Sequence, residues 1–274
     1  MKSILIKHKY YRTIYIYIMS DSQTPLHDAV RDGNIELAKQ LIANGANINE
    51  KTSTGTTPLY WASRDGRTEV VNLLIEKGAD INVKKTDGYT PLHWASNEGR
   101  TEVVNLLIEK GADIRVQDND GNTPLHDATW GGHTETMKTL IDKGVNVSVK
   151  NNNGLTPLHD AAMYGRTEAT RLLIANGAKV SVKNNDGETP LHIAKKYKRK
   201  NTINVLRAAI EAKKKSKELS NATTSNHINA SQLEQGATNT GGKKTRRKKR
   251  TRTRKSKKSR RSRKGRKNRS RSRR

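Results

Sequence analysis

The sequence predicts an all-α solenoid built from stacked helical hairpins, and three observations carry that prediction. The phrase Thr-Pro-Leu-His, once with Tyr in the last place, recurs every 33 residues, beginning at Thr24, Thr57, Thr90, Thr123, Thr156 and Thr189. Glycines keep the same period at two further places, Gly33 to Gly165 and Gly45 to Gly177. Apolar runs of helical length lie between them, such as Val70, Val71, Leu73, Leu74 and Ile75. A period of this size marks units that bury their apolar faces mainly against their neighbours.

The elements of one repeat follow in order. Threonine before proline starts a helix, because its hydroxyl caps free N–H groups and proline at the first helical position loses no hydrogen bond. Leu92 and Ala95 fall on one face and suit close helix packing. Gly33, Gly66, Gly99, Gly132 and Gly165 stop this first helix. A second helix is expected to open at Thr68, Thr101, Thr134 and Thr167, each followed by a glutamate that suits a helix N-terminus. Gly45, Gly78, Gly111, Gly144 and Gly177 end it. Asp87-Gly88, Asp120-Gly121, Asn153-Gly154 and Asp186-Gly187 mark tight turns between units.

Period and phrase together resemble the ankyrin repeat, over about Ser20 to Ile210. The predicted fold class is therefore an all-α ankyrin-repeat solenoid, a helix-turn-helix plus extended loop per 33 residues. Six repeats start near residues 21, 54, 87, 120, 153 and 186, within a domain spanning 20–215. The ends deviate as a finite stack should. Ser22 stands where later copies carry the turn glycine, and Lys198 and Ile210 stand at the two helix-stop positions of the last repeat. The last helix, Asn201 to about Lys215, is lysine-rich and reads as a polar cap. Residues 66–81 and 99–114 are identical, the mark of a tandem duplication.

Charge divides the chain further. Its net +28 is unevenly spread. Residues 1–18 carry +4, 19–194 carry −5 from 18 basic and 23 acidic side chains, 195–242 carry +7 and 243–274 carry +22. Such asymmetry points to a tail with its own partners. Residues 216–242, rich in Ser, Thr, Asn and Gly, are expected to form a flexible linker. Residues 243–274 hold 22 basic side chains in 32 and are expected to be disordered when free. Residues 1–19 lie outside the repeat. Their apolar stretch, Ile14 to Ile18, is too short for a signal peptide or membrane span. It fits a disordered extension, a start set too early with Met19 as initiator, or a peripheral membrane contact.

Cysteine is absent, so disulfides and thiol chemistry are excluded. No phosphate-binding glycine loop, nucleophile elbow or zinc spacing occurs. Five histidines, His27, His93, His126, His159 and His192, end the repeated phrase. One repeat apart, roughly 10 Å, they cannot converge on one metal. The resemblance implies that each braces a loop by hydrogen bonds. No enzyme, cofactor, metal or small-molecule substrate is expected, and the chain is read as monomeric.

The resemblance also implies a protein-binding concave face made by the first helices and loop tips. The residues that fall there and are taken as the protein-binding set are Trp61, Arg64, Tyr89, Trp94, Glu98, Asp127, Trp130, Leu155, Asp160, Met163, Tyr164 and Tyr197. All three tryptophans are among them, and aromatic anchors dominate interface energetics. The acidic residues around them suit an apolar partner with basic edges. In the tail, Lys243, Lys244, Arg246, Arg247, Lys248, Lys249, Arg250, Arg260, Arg261 and Arg263 represent a second surface. Without aromatics to stack on bases, it would meet nucleic acid through phosphates alone. Nuclear or nucleolar targeting and binding to acidic proteins or anionic membrane are the other readings of this run. The Asn-, Lys- and Ile-rich composition resembles arrays of large DNA viruses or intracellular bacteria, which commonly engage host proteins.

Overall fold

The computed structural model describes residues 23–237, with side chains for residues 23–219. The described residues are all helix and loop, with no strand. Twelve helices alternate between an inner and an outer layer. The inner ones are α1 (Pro25–Arg31), α3 (Pro58–Asp65), α5 (Pro91–Asn97), α7 (Pro124–Gly131), α9 (Pro157–Tyr164) and α11 (Pro190–Lys196). The outer ones are α2 (Ile35–Ala43), α4 (Thr68–Glu76), α6 (Thr101–Glu109), α8 (Thr134–Asp142), α10 (Thr167–Ala175) and α12 (Lys200–Ala237). Consecutive inner helices pack on one another, and each of the first five packs on its own outer partner.

The start of each inner helix is fixed by a reciprocal pair of bonds. Thr24, Thr90, Thr123, Thr156 and Thr189 each form a capping box with the histidine three residues on. The threonine N–H donates to the imidazole Nδ1 at 3.1–3.3 Å. Because Nδ1 accepts, the ring proton sits on Nε2, which donates to a carbonyl 29 residues further along the chain. Those acceptors are Thr56 for His27 (3.1 Å), Asn122 for His93 (3.2 Å), Leu155 for His126 (3.3 Å) and Glu188 for His159 (3.2 Å). One ring thus caps its own helix and holds the loop of the next repeat. His192 has no repeat beyond it and is exposed.

Repeat two departs from this pattern. Tyr60 replaces the histidine, and both Thr57 Oγ1 and Tyr60 OH are buried without a hydrogen-bond partner. An orphaned buried polar group costs about 1–3 kcal/mol. Tyr60 instead packs edge-on against Trp94, with ring centroids 5.8 Å apart.

Beneath the caps lies a continuous apolar core. Leu26, Leu59, Leu92, Leu125 and Leu158 are at most 1% exposed, and an alanine three residues after each is equally buried. Val71, Leu74, Val104, Leu107, Met137, Leu140 and Leu173 cover them from the outer layer. Burial of one such leucine contributes about 1.5–3 kcal/mol.

The outer helices open at Thr68, Thr101, Thr134 and Thr167, as expected, with these threonines as their first helical residues. The cap positions belong to Arg67, Arg100, His133 and Arg166, which make no side-chain cap bond. These side chains turn back to the preceding repeat. Arg100, Arg166 and Arg199 donate from Nε to the carbonyls of Arg64, Trp130 and Met163, at the C-termini of inner helices. The glycine at each inner stop is therefore doubly required. Gly66 has φ +74°, and a Cβ there would lie 2.8 Å from Arg100 Cδ. Gly78, at the end of an outer helix, has φ +92° but open space around it.

One expectation changes, over residues 216–242. They were expected as a linker, yet α12 continues through them to Ala237. Ile210 replaces the stop glycine, and neither glycine nor proline occurs between Gly187 and Gly236 other than Pro190. Nothing in the local sequence terminates the helix sooner. The compact unit ends at Ser220. At the inner stop of repeat six, Lys198 adopts φ +56° without glycine's freedom. The expected extension over 1–19 and basic tail over 243–274 lie outside the described residues.

Two predictions follow from the caps. Tyr60→His should restore the capping box and a bond to the Tyr89 carbonyl, raising stability by about 1 kcal/mol in urea melts. The second concerns pH. Burial lowers the pKa of His27 and His159, and brings His93 and His126 to about 4. Unfolded histidine takes up its proton near 6.5, so between about 6.5 and 4 the unfolded chain binds more protons than the folded one. Stability should therefore fall as pH drops through that window, and a His93→Gln, His126→Gln double variant should show a shallower fall in thermal melts.

Candidate protein-docking face

Each inner helix has barely two turns. The fourth, seventh and eighth residues after the threonine therefore share one face, and the stack aligns them in columns. The structure divides the predicted set into three groups along these columns.

In the first group the chain covers its own aromatics. Trp61 is half-buried against the core, and the Arg64 guanidinium lies over its ring at 4.0 Å. Arg64 in turn donates to Asp65 at 2.7 Å. Trp94 is half-buried between Tyr60 and Tyr89, whose centroids lie 5.8 and 6.1 Å away, and its Nε1 has no partner. Tyr89 donates its hydroxyl to Asp127 Oδ1 at 3.1 Å. These residues were expected to stand as open anchors, and their own neighbours occupy much of that surface.

The second group is structural. Asp127 is only 2% exposed and is no surface contact, contrary to the sequence reading. Its Oδ2 has no partner, and burial pushes its pKa well above the usual carboxylate range. Leu155 and Met163 are half-buried against the core, and their carbonyls accept from His126 and Arg199.

The third group is open. Trp130, Tyr164 and Tyr197 are 46%, 38% and 44% exposed, on three successive repeats. Trp130 and Tyr164 pack with centroids 5.8 Å apart at 33°. Asp160 lies on the same helix as Tyr164, half-buried and with no hydrogen-bond or ion-pair partner. Burial pushes its pKa up to about 8. Glu98, at the end of α5, is also half-exposed and unpaired.

Two ladders of recurring side chains went unread in the sequence. Asn119, Asn152 and Asn185 each donate from both backbone N–H and side-chain amide to the preceding loop. Their 33-residue recurrence is the signal that could have found them, as it could have found Arg100, Arg166 and Arg199. Among the described residues no group of three or more His, Asp or Glu side chains is arranged to hold a metal ion. The predicted tail contacts, Lys243 to Arg263, lie outside the described residues.

The family model described as ankyrin repeats (3 copies) matches residues 4–85, 78–151 and 132–218. The chain belongs to the ankyrin repeat family. A crystal structure of the human ASB11 ankyrin repeat domain is similar, with 32% identity and a TM-score of 0.64. That match covers 68% of this chain and 84% of the other. No curated protein matches the sequence. Ankyrin repeats generally bind protein partners and are typically non-enzymatic, so the array is an interaction scaffold.

Asp160 generates a stability prediction of opposite sign to the histidines. Its folded pKa lies above the unfolded value near 3.9, so the folded chain holds a proton that the unfolded chain loses. This stabilisation is complete below about 4 and gone above about 8. Asp160→Asn, neutral at every pH, should therefore gain most over the parent above pH 8, in denaturant titrations at pH 6 and 9.

Proposed function

We propose that the chain is a non-enzymatic docking scaffold that grips a protein partner over repeats four to six, through Trp130, Tyr164 and Tyr197. The observation that carries this reading is the exposure of three large aromatic side chains on consecutive inner helices. Exposed aromatics on neighbouring units are the usual anchors of protein interfaces, worth about 2 kcal/mol or more each at hot spots. Trp61, Arg64, Tyr89 and Trp94 then act mainly as the packed wall beside that surface. The scaffold itself is monomeric, and its partner is apolar with basic edges.

In the same proposal the basic tail supplies location or attachment. Its 22 positive charges in 32 residues suit nuclear or nucleolar targeting, phosphate contacts with nucleic acid, or capture of an acidic protein. The second reading makes the tail primary. The chain would then be a sequence-nonspecific nucleic-acid binder whose repeats recruit another protein. The charge asymmetry favours keeping that reading alive, as does the virus- or intracellular-bacterium-like composition, for which host proteins or a virion are natural settings.

One experiment separates the two. The full chain, a Trp130→Ala, Tyr164→Ala double variant and a chain ending at Gly242 are compared by cross-linking in cells and by binding to duplex DNA at several salt concentrations. Docking through the groove predicts protein cross-links lost in the aromatic variant, with thermal stability unchanged, and kept in the truncated chain. If every cross-link follows the tail and none depends on Trp130 or Tyr164, the second reading replaces the first. Should the tail neutralise ten phosphates, DNA affinity falls with salt at a log–log slope of about −9.

A further inference from the structure

Basic side chains lie over the inner-helix stops, and their counter-charge runs out along the array. Arg67, Arg100 and His133 lie over Gly33, Gly66 and Gly99. The residue just ahead of each of these glycines is acidic: Asp32, Asp65 and Glu98. Arg166 and Arg199 lie in the same way over Gly132 and Gly165, where added Cβ atoms would meet their Cδ at 3.0 and 2.8 Å. The residues ahead of these two stops are Gly131 and Tyr164, so the carboxylate is missing. Asp160, the acid on α9, does not replace it. Burial pushes its pKa up to about 8, and at pH 7 it is uncharged.

Both arginines are held in place beside the open aromatics. Arg166 donates from Nε to the Trp130 carbonyl at 3.1 Å, and Arg199 to the carbonyl of Met163, next to Tyr164, at 2.9 Å. Both side chains are exposed, and their terminal amino groups have no partner among the described residues. A planar guanidinium fork already fixed by one bond matches a carboxylate and loses little freedom in taking it. The excess charge continues into repeat six. Residues 161–200 hold nine basic and three acidic side chains, and Glu168 and Glu188 are already paired with Arg171 and Lys196. Lys195, Lys198 and Lys200 surround Tyr197, exposed and without an ion-pair partner among the described residues. Trp130 and Tyr164 pack on each other, so no nucleic-acid base stacks between them.

We infer that the docked partner segment carries two acidic side chains that pair with Arg166 and Arg199, while its apolar residues cover Trp130, Tyr164 and Tyr197. The inference rests on the docking reading above and gives the segment a direction. Its basic edge lies toward Asp32, Asp65 and Glu98 in the first three repeats, and its acidic edge toward repeats five and six. The two arginines stand one repeat apart, roughly 10 Å. Three residues of extended chain, at about 3.3 Å each, cover that distance. The acids therefore fall at positions i and i+3, with apolar residues between them.

The test uses the full chain at pH 7 and three acetylated peptide amides, Ala-Xaa-Leu-Leu-Xaa-Ala, with glutamate, glutamine or lysine at both variable places. The basic tail attracts the glutamate peptide as well, so the readout is local: the Trp130 indole N–H resonance in NMR, assigned with Trp130→Phe. The glutamate peptide should shift that signal and bind roughly tenfold more tightly than the glutamine peptide, with lysine weakest. An Arg166→Gln, Arg199→Gln double variant should bring the glutamate peptide to the glutamine level. Arg171→Gln, which loses only its pair with Glu168, should leave the glutamate peptide unchanged. Thermal melts show whether the double variant is folded; if it is not, the ranking of the three peptides on the unaltered chain decides. Equal affinity for glutamate and glutamine, tighter binding of lysine, a signal unmoved by every peptide, or a folded double variant that keeps the preference overturns the inference. So does a single-stranded oligothymidine that shifts Trp130 at lower concentration than any peptide, which would assign the border to nucleic acid. A Trp130 signal that responds equally to glutamate and glutamine removes the acidic preference and leaves the docking reading standing. Cellular cross-links that do not depend on Trp130 or Tyr164 remove the docking reading itself.

Discussion

At every junction but that between repeats two and three, each repeat is joined to the next by an imidazole that is neutral and can be nothing else. Its Nδ1 must accept from the threonine at its own helix start, and its Nε2 must donate to a carbonyl 29 residues further on. A protonated ring would turn the acceptor into a donor and set it against an N–H. The bond therefore fixes tautomer, helix start and loop position in one side chain. Four such rings in sequence set the spacing of the inner helices, and every column of the groove inherits that spacing. Tyr60 shows what happens without it, since the phenol reaches neither partner and leaves two oxygens buried and idle.

A second series of contacts closes the other end of each inner helix. The arginines that precede the outer helices reach back over a glycine and donate to the carbonyls left open when the inner helix stops. The chain thereby satisfies both ends of a helix too short to be stable alone. Histidine at one end and arginine at the other make each unit dependent on its neighbours. That dependence is what lets a stack of two-turn helices hold a continuous core. It also explains why departures from the pattern are informative. A helix end left open in the interior of the array must be tolerated for stability or used for something.

The fold was almost wholly legible from the sequence because period, caps and stops are local and repeated. Thr24 to Thr189, the histidines and the stop glycines each announce their role through residue type and position. The outer-helix starts were legible too, at Thr68, Thr101, Thr134 and Thr167. The length of α12 was not. Polar composition suggested a linker, while the absence of any stop before Gly236 decided the backbone. The face was legible only in outline. Spacing put Trp61, Trp94 and Trp130 in one groove, but exposure depends on neighbours from other repeats. Arg64, Tyr60 and Tyr89 cover the first two rings, and the sequence contains no local sign that they would. Asp127 sank out of reach for the same reason, drawn under Tyr89 from the repeat before.

That self-coverage is an argument about where a partner can bind. An aromatic ring already in contact with a guanidinium or two other rings gains less from a partner, because part of its apolar surface has left water before binding begins. Removing those neighbours to make room would cost the contacts they already make. Trp130, Tyr164 and Tyr197 have no such prior commitment except to one another. Packing between Trp130 and Tyr164 orients both rings while leaving their outer surfaces open, so less side-chain freedom remains to be lost on association. In the proposed docking mode the first aromatics of the array supply rigidity and the last ones supply contact. A partner that docks on repeats four to six meets a surface held in place by the buried half of the same aromatic row.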